Sequence, residues 1–488
     1  MENKFTTREF IKTIAIGGVG VFFWQCYKEK KQPIAFDSNK KNANLLVAIT
    51  DDDVLILLRD DDKYEAFRKG YNKRIEKFPK VIAVCKTEKG VQYAINYAKK
   101  NKLKIAIKSG GHSFEGFSNN DGGLVINLSL MKTIEWQTDN VVHLQTGCLL
   151  QEIYNDFLPK NRIIPAGSCG TVGLGGLTLG GGYGFFSRKY GLTCDSLLGL
   201  KMIGHDGQIY DSDNHPDLLW ACKGGGNGNF GVVTQLRFAT QKAPSSMSSF
   251  VLKFRNLDPD KFVTLINKWF NLYDDLPLEA FSAFVLNGKT LTILITNYLS
   301  YNSQFETVFS DLIALASQYK VSKNQKIASA LKRYYGRKEP LYFKNASCGL
   351  FKNTNDLSAI HSDIFQKVTQ NPGIIFQINT LGGAINQSDF EEKGAYPHRN
   401  LNFLGELQAY WEHPKQEKRL ITAFEEIQKL IKQNGISVHY RNYPDLNFSD
   451  WEHAYYGKNY QKLQGIKEKY DPENLFDYPQ GIKKPQID

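Results

Sequence analysis

The spacing of apolar residues changes along this chain, and the changes mark its elements. Val81-Ile82-Ala83-Val84-Cys85 is an unbroken apolar run of strand length. Val91, Ala94, Ile95 and Ala98 follow at three- and four-residue spacing, which predicts one buried face of a helix with Thr87 at its N-cap. Leu103 to Ile107 predicts a second short strand, completing a β–α–β unit. Leu124–Leu128 and Val141–Thr146 predict further strands. From about residue 246 the texture changes: strand-like Phe284–Leu286 and Thr290–Ile295 alternate with amphipathic stretches, of which Phe305–Leu315 and Leu420–Ile431 read most clearly as helices. The expected class is α+β, with a first domain over 73–245, a second α+β domain with an antiparallel sheet over 246–436 and a tail over 437–488.

Glycine interrupts the first domain in three blocks. The β–α–β unit runs into Ser109-Gly110-Gly111-His112-Ser113. A second block extends from Gly173 through Gly175, Gly176, Gly180 and Gly182 to Gly184, preceded by Thr171. The third, Gly224 to Gly231, contains Asn229 and leads into Val232. Glycine lets backbone amides approach a guest closely, and successive N–H groups form a nest for anions such as a pyrophosphate. A single block of this kind is as easily a packing loop; three beside apolar strands point to a dinucleotide. Ser109, Gly110, Gly111, Ser113, Thr171, Gly173, Gly176, Gly182, Gly184, Asn229 and Val232 are therefore cofactor-binding candidates. The G-x-G-x-x-G fingerprint is missing at the end of the β–α–β unit, which argues against a nicotinamide site of the Rossmann type.

These motifs resemble one family, the FAD-linked oxidases with a vanillyl-alcohol-oxidase or PCMH-type FAD-binding domain, in the berberine-bridge-enzyme-like branch. Lys108-Ser109-Gly110-Gly111-His112-Ser113 resembles its R-x-G-G-H-S loop, and Gly167-Ser168-Cys169-Gly170-Thr171-Val172-Gly173 its A-G-x-C-P-T-V-G segment. Gly382-Gly383 with Tyr396-Pro397-His398-Arg399 resembles a substrate-domain signature. Tyr440-Arg441-Asn442-Tyr443-Pro444-Asp445 and Tyr470-Asp471-Pro472-Glu473-Asn474 resemble its C-terminal segment. The resemblance runs from about 73 to 482. Lys108 stands where the family has arginine, and Gly170 where it has proline.

The resemblance implies an FAD domain of two subdomains, a substrate domain covering the flavin and a C-terminal segment that returns to the FAD domain. It implies FAD bonded twice, through His112 to the 8α-methyl and through Cys169 to C6. An imidazole on the 8α carbon withdraws electrons and raises the flavin potential, which favours oxidation of alcohols. Attachment at Cys169 requires a thiolate, so the backbone amides around it are expected to lower its pKa. Tyr443 is implied as the catalytic base, with Tyr440 as its rival. Gln408 is implied to face the substrate, where it would orient a hydroxyl. Val172 is implied beside the oxygen-reactive carbon of the flavin, small enough to admit dioxygen. The expected reaction is removal of hydride from an alcohol, preferably a sugar C1 hydroxyl giving a lactone, with electrons passed to dioxygen to form hydrogen peroxide. A tailoring oxidase of secondary metabolites, a quinone-linked dehydrogenase and a non-catalytic flavin binder are the alternatives.

Composition narrows this only slightly. Net charge is +11, from 61 Lys+Arg against 50 Asp+Glu in 488 residues, and the basic residues are spread along the chain. That spread points to a solvated surface and not to a nucleic-acid partner. The seven cysteines contain no C-x-x-C and the nine histidines no H-E-x-x-H, so no metal site is expected. Lys4, Arg8 and Lys12 ahead of apolar Ile14 to Trp24 predict a targeting segment over 1–30. Its apolar run is shorter than the ~20 residues of a membrane span. Export is therefore expected, with membrane contact only through this segment.

Overall fold

The computed structural model describes residues 50–485, so the targeting segment and Cys26 lie outside the described residues. The first sheet is four-stranded. β1 (Val54–Leu57) pairs antiparallel with β2 (Val81–Cys85), and β4 (Leu124–Asn127) runs parallel to β2 on one side and to β3 (Ile105–Lys108) on the other. The helix Glu88–Lys100 crosses from β2 to β3 and buries Val91, Ala94, Ile95 and Ala98, at ~1.5–3 kcal/mol for each larger apolar side chain. Thr87 caps it, its hydroxyl accepting from the Gly90 N–H at 3.2 Å. This unit includes residues ahead of the expected boundary at 73, since β1 and the short helix Tyr64–Arg68 are part of it. That helix ends on Lys108, whose Nζ donates to the carbonyls of Phe67, Arg68 and Lys69 at 2.7, 3.3 and 2.6 Å. The cation satisfies carbonyls that the helix leaves open.

The second sheet is antiparallel and five-stranded: β5 (Ile134–Trp136), β6 (Val141–Gln145), β10 (Val232–Ala239), β8 (Leu197–Ile203) and β9 (Ile209–Asp211), in that spatial order. A separate two-stranded antiparallel pair joins β7 (Arg162–Ile163) to β11 (Gln241–Lys242).

The second domain carries a seven-stranded antiparallel sheet. Its spatial order is β15 (Gln318–Lys326), β12 (Ser246–Phe254), β14 (Thr290–Asn297), β13 (Ala280–Asn287), β17 (Ile374–Thr380), β18 (Phe403–Trp411) and β16 (Tyr342–Phe351). Alternation along each strand sorts the residues. Phe376, Ile378, Leu407 and Ala409 join the core made with the helices Pro259–Asp275, His361–Gln370 and Glu417–Gln433. Gln377, Asn379, Glu406 and Gln408 take the opposite face and are buried as well. The expected helix Phe305–Leu315 is two short ones, Gln304–Thr307 and Ser310–Leu315. Between them Phe309 leaves helical geometry (φ −127°, ψ 25°) as its ring packs on Phe250 at 5.3 Å.

The tail returns to the first domain. Buried Lys467 on the helix Tyr460–Tyr470 donates to the carbonyls of Asn229 and Phe476 at 2.7 and 2.8 Å and pairs with Asp471 at 2.6 Å.

Candidate active site

A cavity of about 410 Å³ runs between the two domains. Along one side it is lined by the first two glycine blocks, through Ser109, Gly110, Gly111, Ser113, Gly173, Gly176 and Gly184. These blocks touch backbone to backbone: a Cβ on Gly110 would lie 2.3 Å from the Gly173 nitrogen, so no larger residue fits there. Gly176 has open space in front of it, with nothing within 4 Å of an added Cβ. Bare backbone pressed together and then opening onto a cavity has room to take a flat, phosphate-bearing dinucleotide. A flavin held there would supply a two-electron acceptor.

His112 and Cys169 meet on one wall of this cavity. Thr171 joins them, its Oγ1 lying 3.0 Å from His112 Nε2 and 3.7 Å from Cys169 Sγ. Tyr71 stacks on the imidazole at 4.2 Å and 16°. Burial pushes the His112 pKa down to about 4, so the ring is neutral and has a lone pair to offer. The expectation for Cys169 is not met. Burial raises its pKa; the Thr171 hydroxyl and the amides of Thr171 and Val172 pull it down by less. Val172 lines the cavity beside it.

The floor comes from the polar face of the large sheet. Asn345 on β16, Glu406 and Tyr410 on β18, and Gln377 and Asn379 on β17 all line the cavity. Gln408 does not. It sits in register between Asn345 and Ile375, 1% exposed, and donates to Gln377 Oε1 at 3.1 Å. The residue facing the cavity is Glu406, two positions earlier on the same face. Desolvation raises its carboxyl pKa to about 8, against opposing hydrogen bonds from Gln408 and Asn345. Gln408 thus starts an amide relay. Gln377 Nε2 donates to Asn379 Oδ1 at 2.8 Å, and Asn379 Nδ2 donates to the Tyr183 hydroxyl at 3.2 Å.

The relay ends on a pair of phenols, Tyr183 and Tyr443, whose hydroxyls are 2.9 Å apart. Burial lifts both well above the ordinary tyrosine pKa, and the neighbouring Glu406 carboxyl raises them further. Tyr440 also lines the cavity, but its hydroxyl is occupied, accepting from the Gly182 N–H at 2.8 Å and from Asn442 Nδ2 at 3.0 Å. Gly182 therefore serves the wall from behind. Asn229 and Val232 do not line the cavity. Asn229 is fully buried, donating to the Gly225 carbonyl and accepting from the Ile482 N–H, and Val232 packs in the core of the first sheet. The third glycine block reaches the cavity through Asn227, Gly228 and Gly231 instead.

Sequence comparison agrees with this geometry. A pattern described as "FAD binding domain" matches residues 79–213, and one described as "Berberine and berberine like" matches residues 439–483. An uncharacterised FAD-linked oxidoreductase of Bacillus subtilis is 30% identical over 441 residues, covering 88% of this chain and 96% of that protein. A chitooligosaccharide oxidase of Gibberella zeae is 27% identical over 446 residues, covering 85% and 89%. Among solved structures, Physcomitrella patens BBE-like 1 superposes with a TM-score of 0.81 at 23% identity, covering 90% of this chain and 98% of that one. A xylooligosaccharide oxidase from Myceliophthora thermophila superposes with a TM-score of 0.78 at 24% identity, over 89% and 98%; these two likenesses concern the fold. With both patterns in one chain and a relative matched over nearly its whole length, the chain belongs to the berberine-bridge-enzyme-like family of FAD-linked oxidoreductases.

Proposed function

We propose that this protein oxidises a hydroxyl of a carbohydrate, preferably the C1 hydroxyl of a sugar or oligosaccharide to the lactone. In this reading FAD is held through His112 and Cys169, and electrons pass to dioxygen. The carrying observation is the polar floor. Asn345, Gln377, Asn379, Glu406 and Tyr410 project from adjacent strands into the cavity that contains His112 and Cys169. Such a row of amide, carboxyl and phenol groups matches the hydroxyls of a sugar, and a site built for hydroxyls rejects partners that lack them. The chitooligosaccharide oxidase among its relatives points the same way.

The residues divide the work as follows. The floor amides bind and orient the substrate hydroxyls. Glu406 takes the proton of the reacting hydroxyl: a carboxyl held at about 8 becomes a base within the working pH range, whereas a phenol raised well above 10 does not. Tyr443, kept in place by Tyr183, donates to or accepts from that same hydroxyl and orients it. The neutral His112 ring and the Cys169 sulfur hold the cofactor, with the thiol deprotonated in the course of attachment. Val172 leaves room for dioxygen. The basic and apolar leader fits an exported enzyme; among the described residues no helix is long and apolar enough to cross a membrane.

The test is anaerobic mixing of the purified protein with a panel of mono- and oligosaccharides, followed by admission of air. Loss of flavin colour with sugar, and peroxide on reoxidation, is expected. Silence on every sugar would remove the carbohydrate reading, and reduction without rapid reoxidation in air would turn the oxidase into a dehydrogenase.

A further inference from the structure

Behind the cavity wall lies a row of charges, three of its four members buried, for which the proposed reaction has no use. Arg74 Nη2 pairs with Glu115 Oε2 at 3.0 Å, Glu115 Oε1 pairs with Lys344, and Lys344 Nζ pairs with Asp445 Oδ1 at 2.8 Å. The signs alternate, so the row is neutral as a whole. Glu115, Lys344 and Asp445 are 3%, 4% and 0% exposed. Burying ions costs several kcal/mol each, and apolar residues of the same volume commonly serve stability as well or better. What the row does beyond stability is therefore the question its burial raises.

Its members come from parts of the chain far apart in sequence. Arg74 and Glu115 belong to the first domain, Lys344 to β16 of the second, and Asp445 to the returning tail. Each of the inner three is next, or next but one, to an aromatic residue that lines the cavity: Phe114 before Glu115, Phe343 before Lys344, and Tyr443 two before Asp445. Those aromatics form one wall. Phe114 meets Phe343 edge-on at 5.5 Å and stacks on Tyr443 at 5.2 Å and 20°. Arg74 adds bonds to the backbone of the same wall, from Nε to the Phe343 carbonyl and from Nη2 to the Phe114 carbonyl, both at 3.2 Å. Phe114 is also two residues from His112.

We propose that Lys344 is a positioning residue. As the cation shared by Glu115 and Asp445, it fixes the flavin-attachment loop, the substrate sheet and the tail in one register, and so sets where Tyr443 and Phe114 stand against the flavin. A single ammonium can serve two carboxylates from different segments because its donors point in different directions. Removing it leaves two buried carboxylates repelling each other across the junction where the three segments meet.

The experiment uses the full chain with its flavin. Lys344→Met removes the cation; Lys344→Met combined with Asp445→Asn removes one charge of each sign and restores neutrality. Two readouts are taken, the thermal midpoint and the visible circular dichroism of the bound flavin, which reports the asymmetric contacts around the ring and needs no substrate. The inference rests on a flavin in this cavity but not on its reaction with sugar, so a negative sugar screen leaves it standing. Lys344→Met is expected to melt lower. The double variant is expected to regain most of the midpoint while its flavin dichroism stays changed by about twofold or more, since positions of such a site matter at the half-ångström level. A double variant with both the parent midpoint and the parent dichroism would make the row a structural fixture and overturn the proposal. So would a folded Lys344→Met with unchanged dichroism, or a double variant that cannot fold at all.

Discussion

Glu406→Gln separates the carboxyl's cost from its use. The folded protein holds this proton up to about pH 8, because burial disfavours the charged form. An unfolded chain releases it near the ordinary carboxylate value of about 4.5. Between these values the folded state binds more protons than the unfolded state, so stability falls as pH rises, by about 1.4 kcal/mol per pH unit. Above about 8 both states are ionised and the loss levels off. Glutamine has nothing to titrate. The stability of Glu406→Gln relative to the parent should therefore increase steadily with pH across this window and then flatten.

Thermal midpoints of both proteins from about pH 5 to about pH 9 supply the assay, with the difference at each pH as the readout, since a chain of two domains need not unfold in one step. Other titrating groups cancel in that difference. The catalytic half runs the opposite way. At pH 7 roughly a tenth of Glu406 is ionised, so flavin reduction should rise about tenfold to a plateau above pH 8, and Glu406→Gln should lose both that limb and about 10²–10⁴-fold in rate. Parallel midpoint curves would refute the buried, protonated carboxyl. A limb retained near pH 8 in the variant would refute Glu406 as the base and return the role to Tyr443.

Three further outcomes test the rest of the site. His112→Ala or Cys169→Ala alone should leave flavin on the denatured chain, visible as a mass gain of one FAD, and only the double variant should release it all. Tyr443→Phe should slow flavin reduction by about 10–100-fold with little change in substrate affinity, since it removes an orienting hydroxyl and not a proton acceptor. Gly110→Ala should abolish flavin loading, because its Cβ would lie 2.3 Å from the Gly173 nitrogen, whereas Gly176→Ala, with nothing within 4 Å, should fold normally.

The first domain was legible because its signals are local. A capped amphipathic helix between two apolar runs and glycines at fixed places need no distant partner to be recognised, and His112 and Cys169 lie inside such motifs. The floor was harder to read. Glu406 and Gln408 have the same strand parity, and both are buried; which one meets the cavity depends on the register that sets Glu406 against Ser347 and Gln377, and Gln408 against Asn345 and Ile375. Periodicity alone cannot choose between them. A lone acid inside Phe403-Leu404-Gly405-Glu406-Leu407 was still a usable sign, because a carboxyl in an apolar strand is buried at a cost. Tyr71 carries no signal in the sequence for a different reason. It lies just before the expected domain start, and only the fold brings it onto the imidazole. Asn229 and Val232 show the converse error: a glycine-rich block does reach the cavity, but through other members, while these two hold the tail and the core.

The position of Tyr443 explains why the tail has to return. Its partners come from every other part of the site: Tyr183 from the second glycine block, Phe114 from the loop that carries His112, and Ser347 on β16, whose N–H donates to the Tyr443 carbonyl at 2.8 Å. None of these contacts exists within the tail itself. The tail in turn is held by Lys467 on Asn229 and by Asp445 on Lys344. Phenols raised well above their ordinary pKa are a product of that assembly, since burial of Tyr183 and Tyr443 requires both domains and the tail together. The first domain contains the first two glycine blocks, His112 and Cys169 of the cavity lining, yet it contains neither the floor nor Tyr443. In the proposed reading, cofactor holding and substrate chemistry are divided among segments, and the site is complete only where they meet.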